Sequence, residues 1–178
     1  DTYSASSIKS DKKGLQRVLY GAYQQMRPSP RNYIWIMAEM TTDISIDSEG
    51  GLEKHADLYE DFTWNADHGF VDGLWGSEYT GIRNANAVLD NIDKAEMEEE
   101  TRELWKAEAR FIRAYCYELL YKVFGPVPLV KTTERDDYQI PRATEDEMKS
   151  FIESELRAAA EILPETQEEF GRATKGAA

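Results

Sequence analysis

The side chains best able to do chemistry gather between residues 41 and 66, where Asp43, Asp47, Glu49, His55, Tyr59, Trp64 and Asn65 surround Gly50 and Gly51 with no sustained hydrophobic period. Carboxylates and amides hydrogen-bond hydroxyl groups, and the flat faces of Trp and Tyr stack on C–H surfaces, so the mixture suits a sugar ring. Asp43, Asp47, Tyr59, Trp64 and Asn65 are the binding candidates. The competing reading is a solvated loop whose aromatics pin it to the body. A metal fits poorly. Asp43, Asp47 and Glu49 miss the spacing of an EF-hand loop, and neither His55 nor His68 belongs to a His-Glu-x-x-His pattern. No cofactor is expected.

A second group of polar residues lies inside hydrophobic stripes. In one segment Leu74, Trp75, Tyr79, Ile82, Leu89 and Ile92 recur at helical spacing, and in the next Leu104, Phe111, Ile112, Tyr115, Leu119 and Val123 do the same. Asn86 projects beside Trp75 and Tyr79, and Glu108 between Phe111, Ile112 and Tyr115. With a turn centred near Met97, the two polar residues stand level across an antiparallel hairpin. An unpaired buried carboxylate is costly, so Glu108 is predicted to be held by Asn86, Arg83 or a donor from an adjacent segment. Burial can also raise a carboxyl pKa and make it an acid catalyst, and a glycosidase is the enzymatic alternative; that chemistry needs a second carboxyl across the sugar, and no isolated pair is evident.

Composition narrows the field. The chain has 178 residues, with 21 Lys and Arg against 34 Asp and Glu, a formal charge of −13. Such a surface disfavours duplex nucleic acid and anionic membranes. The lone Cys116 sits in the middle of a helical stripe, where it reads as a small buried hydrophobe and not as a nucleophile. No apolar run is long enough to span a bilayer.

These residues need helices to position them. A stripe of Leu15, Leu19, Ala22, Tyr23 and Met26 predicts a helix from about Ile8 to Met26, ended by Pro28 and Pro30. The run NYIWIMAEM reads as a second helix with its aromatic side inward. The long hairpin closes at Gly125, after which GPVPL must run extended. Thr144 and Glu147 form a capping box before a helix with Met148, Ile152, Leu156, Ala159 and Leu163 on one face. ETQEEFG is a loop, and RATKGAA reads as the first turn of another helix. The expected fold is all-α: TPR-like helical hairpins in an α-solenoid-like stack with long irregular loops, without a strict repeat period.

Five blocks carry a family resemblance: LYGAYQQM; AEMTTD; Trp75, Tyr79, Ile82 and Asn86 in one hairpin arm; AEARFIRAYCYELLYKVFGPVPL; and IPRATEDEM through LRAAAEILP to GRATKGAA. Together they resemble the N-terminal part of the SusD/RagB family of outer-membrane glycan-binding lipoproteins of Bacteroidetes. The resemblance implies that residues 1–178 are the N-terminal helical portion of a longer SusD-like domain. It also implies a surface-exposed lipoprotein of the cell outer membrane, held only by an N-terminal lipid anchor absent from this chain. The expected role is non-catalytic capture of a poly- or oligosaccharide for a SusC-like TonB-dependent transporter. Under it, Trp75, Tyr79, Asn86, Glu108, Phe111 and Arg113 are packing and hairpin-locking positions, and no ligand contact transfers by motif. The alternative is a helical scaffold that binds protein alone.

Overall fold

The computed structural model describes residues 11–45, 59, 61–134 and 139–178. It contains α1 (Lys12–Gln25), α2 (Pro28–Glu39), α3 (Gly69–Asn91), α4 (Glu99–Phe124) and α5 (Glu145–Ile162), with short 3-10 turns at Ile92–Lys94 and Lys175–Ala177. Among the described residues there is no strand. The all-α expectation holds, as a stack in which α4 lies between α3 and α5 while α1 packs on the α3–α4 hairpin.

Local sequence accounts for the helix ends. The Asp11 side chain accepts from the Lys13 N–H at 3.0 Å and opens α1. Pro28 both follows the end of α1 and serves as the first residue of α2, where its missing N–H costs nothing. The Thr144–Glu147 capping box forms as expected. Gly125 ends α4 with φ 68° and ψ −157°, a conformation open to glycine and strained for other residues. At the hairpin turn the Arg102 guanidinium donates to the carbonyls of Ile92, Ala95 and Met97 at 2.6, 3.2 and 3.4 Å, satisfying acceptors left over where α3 ends.

Two expectations need correction. Trp35 on α2 is 59% exposed, and Ile36 at 5% is the residue α2 turns inward. Within RATKGAA only Lys175–Ala177 turn, as a 3-10 and not an α-helical turn, and the first residue of the stretch, Arg172, does more for the fold.

The hairpin register also differs from the level pairing of Asn86 with Glu108. Asn86 Oδ1 instead accepts from Arg113 Nη1 at 2.7 Å. Glu108 lies five residues earlier, about 140° around α4 from Arg113, and points elsewhere. Its carboxylate, fully buried, accepts from Tyr23 Oη at 3.0 Å, Gln167 Nε2 at 3.1 Å and Arg172 Nε at 2.8 Å, with a second bond from Arg172 Nη2. The donors come from α1 and from the segment after α5, not from Asn86 or Arg83, which is exposed. Burial works against the Arg172 charge, but hydrogen bonding and attraction from Glu108 more than offset it, and its pKa is raised.

Arg113 is the second buried ion. Its Nε and Nη2 meet Glu155 Oε2 at 2.8 and 2.5 Å, and its Nη1 also reaches the Lys131 carbonyl at 3.2 Å, so one side chain joins α3, α4, α5 and the extended segment. That segment is fixed by Tyr79 Oη donating to Pro128 O at 2.8 Å and by Asn86 Nδ2 donating to Val130 O at 2.8 Å. Trp75 and Tyr79 are half-buried against the core and Phe111 is buried within it.

Arg172→Met leaves the buried Glu108 without its main partner and should lower unfolding free energy by about 3–5 kcal/mol, most of it recovered in the Glu108→Met, Arg172→Met double variant, as measured by denaturant unfolding. A Cβ at Gly81 would stand 2.7 Å from Cys116 Sγ. Gly81→Ala should therefore cost about 1–3 kcal/mol by overpacking, and Cys116→Ala added to it should restore part of the loss.

Candidate functional site

The sequence candidates divide once placed in the fold. Tyr59, Trp64 and Asn65 line a pocket of about 320 Å³ together with Met37, Ala66, Val71, Val123 and Phe124. Asp43 is exposed on the bend after α2, where Thr42 Oγ1 donates to Glu39 O at 2.7 Å and closes that helix, and Asp43 does not line the pocket. Asp47, with Glu49 and His55, lies outside the described residues.

Within the pocket the aromatic residues have different duties. Tyr59 is 1% exposed and Trp64 is 38% exposed, with ring centroids 5.2 Å apart. Tyr59 Oη lies 2.8 Å from His68 Nδ1, and the same nitrogen accepts from the Phe70 N–H at 3.3 Å at the start of α3. Because that N–H obliges Nδ1 to accept, the Tyr59 hydroxyl donates to it and the imidazole proton sits on Nε2. Tyr59 is thus the floor that pins the loop to α3, as the competing reading of the loop expected, and Trp64 is the face available to a ligand.

Asn65 shapes the turn that follows. Its Oδ1 accepts from the Asp67 N–H at 3.0 Å, a local turn bond that sets the approach to α3. Phe62, absent from the candidates, stands 65% exposed with its ring 5.6 Å from Trp64. The alternation of Phe62 with Trp64 was visible in the sequence, but the positive φ of Phe62, 55°, which sets its backbone, was not. No carboxylate lines the pocket among the described residues; the lining residues with polar side-chain groups are Asn65, Trp64 and Tyr59, the Tyr59 hydroxyl being taken by His68.

On the far side of Trp75 a second groove of about 430 Å³ runs along α3, lined by Trp75, Tyr79, Thr80, Arg83, Thr133 and neighbouring residues. The Trp75 and Phe124 rings, one lining each cavity, meet edge to face at 5.1 Å. Asn86 and Tyr79, expected as hairpin locks, also form part of this groove's wall.

Burial pushes the phenols of Tyr59 and Tyr79 from 10.0 up to about 12, the Arg142 charge slightly opposing this for Tyr79. A raised phenol pKa in the fold adds stability that is complete below about 10 and is lost as pH climbs toward about 12. Tyrosinate absorbance should accordingly show late-ionising phenols in this interval, and Tyr59→Phe should flatten the alkaline fall in stability.

A family profile described as starch-binding and associating with the outer membrane, SusD-like, matches residues 1–178. A SusD-like protein, P2, of Formosa agariphila is 30% identical over 164 residues, covering 89% of this chain and 32% of that protein. A SusD-like protein of Bacteroides fragilis has a solved structure that superposes with a TM-score of 0.81 at 25% identity, over 96% of this chain and 34% of the other. Surface glycan-binding protein A from Bacteroides fluxus gives 0.78 at 26% identity, over 94% and 38%. A laminarin-binding SusD-like protein gives 0.82 at 22% identity, over 94% and 38%, a likeness of fold. The chain spans about a third of the length of these relatives.

Proposed function

The chain belongs to the SusD-like family, and on that premise we propose that it contributes an aromatic glycan-binding surface to a non-catalytic carbohydrate-uptake protein at the bacterial outer membrane. The observation that carries this reading is Trp64: a partly exposed indole, backed by the buried Tyr59 ring and bordered by Phe62, at the mouth of a pocket. An indole held rigid from behind offers C–H surfaces a platform without ordering on binding, which lowers the entropic cost of capture. Asn65, which lines the pocket, supplies hydrogen bonds that select among hydroxyl orientations.

The family description as starch-binding and the glycan- and laminarin-binding descriptions of relatives of this fold support a saccharide ligand. Association with the outer membrane and delivery to a SusC-like TonB-dependent transporter complete the proposal. Against a hydrolase reading, the carboxylates of Glu108 and Glu155 are each committed to arginines, Arg172 and Arg110 with Arg113, away from the aromatic pocket. Hydrolysis requires an acid and a second carboxyl facing one another across the sugar.

Trp64→Ala should weaken binding to a soluble glycan at least about tenfold, read by calorimetry or affinity electrophoresis, because it removes the stacking face and leaves the hairpin core untouched. Tyr59→Phe should act mainly on loop stability. If Trp64→Ala binds every tested glycan as well as the unaltered protein, this surface is not the binding face.

A further inference from the structure

One row of α3 serves both cavities. Val71, Trp75, Tyr79 and Arg83 follow one another at four-residue spacing, which places them along a single inclined ridge of the helix, and the row is about 18 Å long. Val71 lines the Trp64 pocket, while Trp75, Tyr79 and Arg83 line the neighbouring groove. The edge-to-face contact of Trp75 with Phe124 joins one lining ring of each. The row thus runs from an aromatic end beside Trp64 to a cationic end at Arg83.

The charge of that path differs from the rest of the surface. The sequence holds 34 acidic against 21 basic residues, yet among the described residues no Asp or Glu lines the groove, and Arg83 is exposed within it. Arg142 stands beside it, donating to the carbonyls of Phe124 and Pro126 at 3.1 and 2.7 Å, close enough for its charge to act on Tyr79. Asp90 of α3 holds the segment at this rim: its Oδ2 accepts from Thr132 Oγ1 at 3.1 Å and from the Thr133 N–H and Oγ1 at 2.7 and 2.6 Å. A guanidinium offers paired donors matched to carboxylate or sulfate oxygens.

Building on the glycan-binding reading above, we infer that the α3 ridge extends the Trp64 site into a track for an acidic oligosaccharide, with Arg83 as the residue that selects its carboxylate or sulfate group. Stacking at Trp64 holds the chain without regard to charge. Arg83 then distinguishes an acidic sugar from its neutral counterpart.

The test is calorimetry on the whole protein that carries this chain, against matched oligosaccharides of one backbone in neutral, uronate and sulfated forms. The expected result is that one acidic form binds about tenfold more tightly than the neutral one, the worth of a charge-assisted hydrogen bond. The uronate and sulfated arms identify which acid is read. Arg83→Gln, at an exposed position where folding should persist, should abolish that preference by weakening the acidic form about tenfold more than the neutral one, and Arg83→Lys should retain part of it. Trp64→Ala should weaken all forms together. Equal affinity for neutral and acidic forms, or a preference that survives Arg83→Gln, overturns the track while leaving Trp64-dependent glycan binding intact. Failure to bind any of the glycans removes the underlying site and the track with it.

Discussion

A helix buried along most of its length has to match every charge it buries, and α4 buries two that face different ways, Glu108 and Arg113. Glu108 is neutralised by Arg172 with help from Tyr23 and Gln167, and Arg113 is neutralised by Glu155. Either ion left alone in the interior would cost several kcal/mol, so the elements that supply the counter-ions are obliged to dock where they do. The Glu108 pair draws α1 and the segment after α5 to one side of α4. The Arg113 pair draws α5, Asn86 of α3 and the extended strap to another. The apolar stripes supply most of the driving force, and the ion pairs specify which surfaces meet.

That arrangement makes α3 a fixed rail. Its inner face is committed to the hairpin, down to the close approach of Gly81 to Cys116, and the half-buried flank beside it holds Val71, Trp75, Tyr79 and Arg83 in constant register. The loop entering α3 is secured by the Tyr59–His68–Phe70 contacts, which set the Trp64 indole on the near end of the same rail. Recognition residues thus sit on irregular backbone whose anchor points are rigid, the usual division of labour between scaffold and loop.

Electrostatics acts on two scales here. The net charge of −13 keeps the outer surface hydrated and repels polyanions at long range. Screening limits that field to about 8 Å at physiological salt, so inside a groove the local residues decide which ligand charge is welcome. The groove along α3 and the acidic exterior are therefore compatible features of one surface.

The periods and end signals of the sequence determined the all-α fold, the hairpin, the capping box at Thr144, the stop at Gly125 and the burial of Glu108, since each depends on residues close in the chain. The motif blocks determined the family. The partner of Glu108 was beyond that reach: Arg172 is 64 residues away, and its approach depends on how α5 lies across α4. The same holds for the hairpin register, where a few residues of slip exchange Glu108 for Arg113 as the neighbour of Asn86, and for Trp35, whose inward expectation gave way because Ile36 faces the core. Tertiary packing alone separated Tyr59 from Trp64, two aromatics alike in the sequence, by burying one ring beneath the other and so assigning one to the scaffold and the other to the surface.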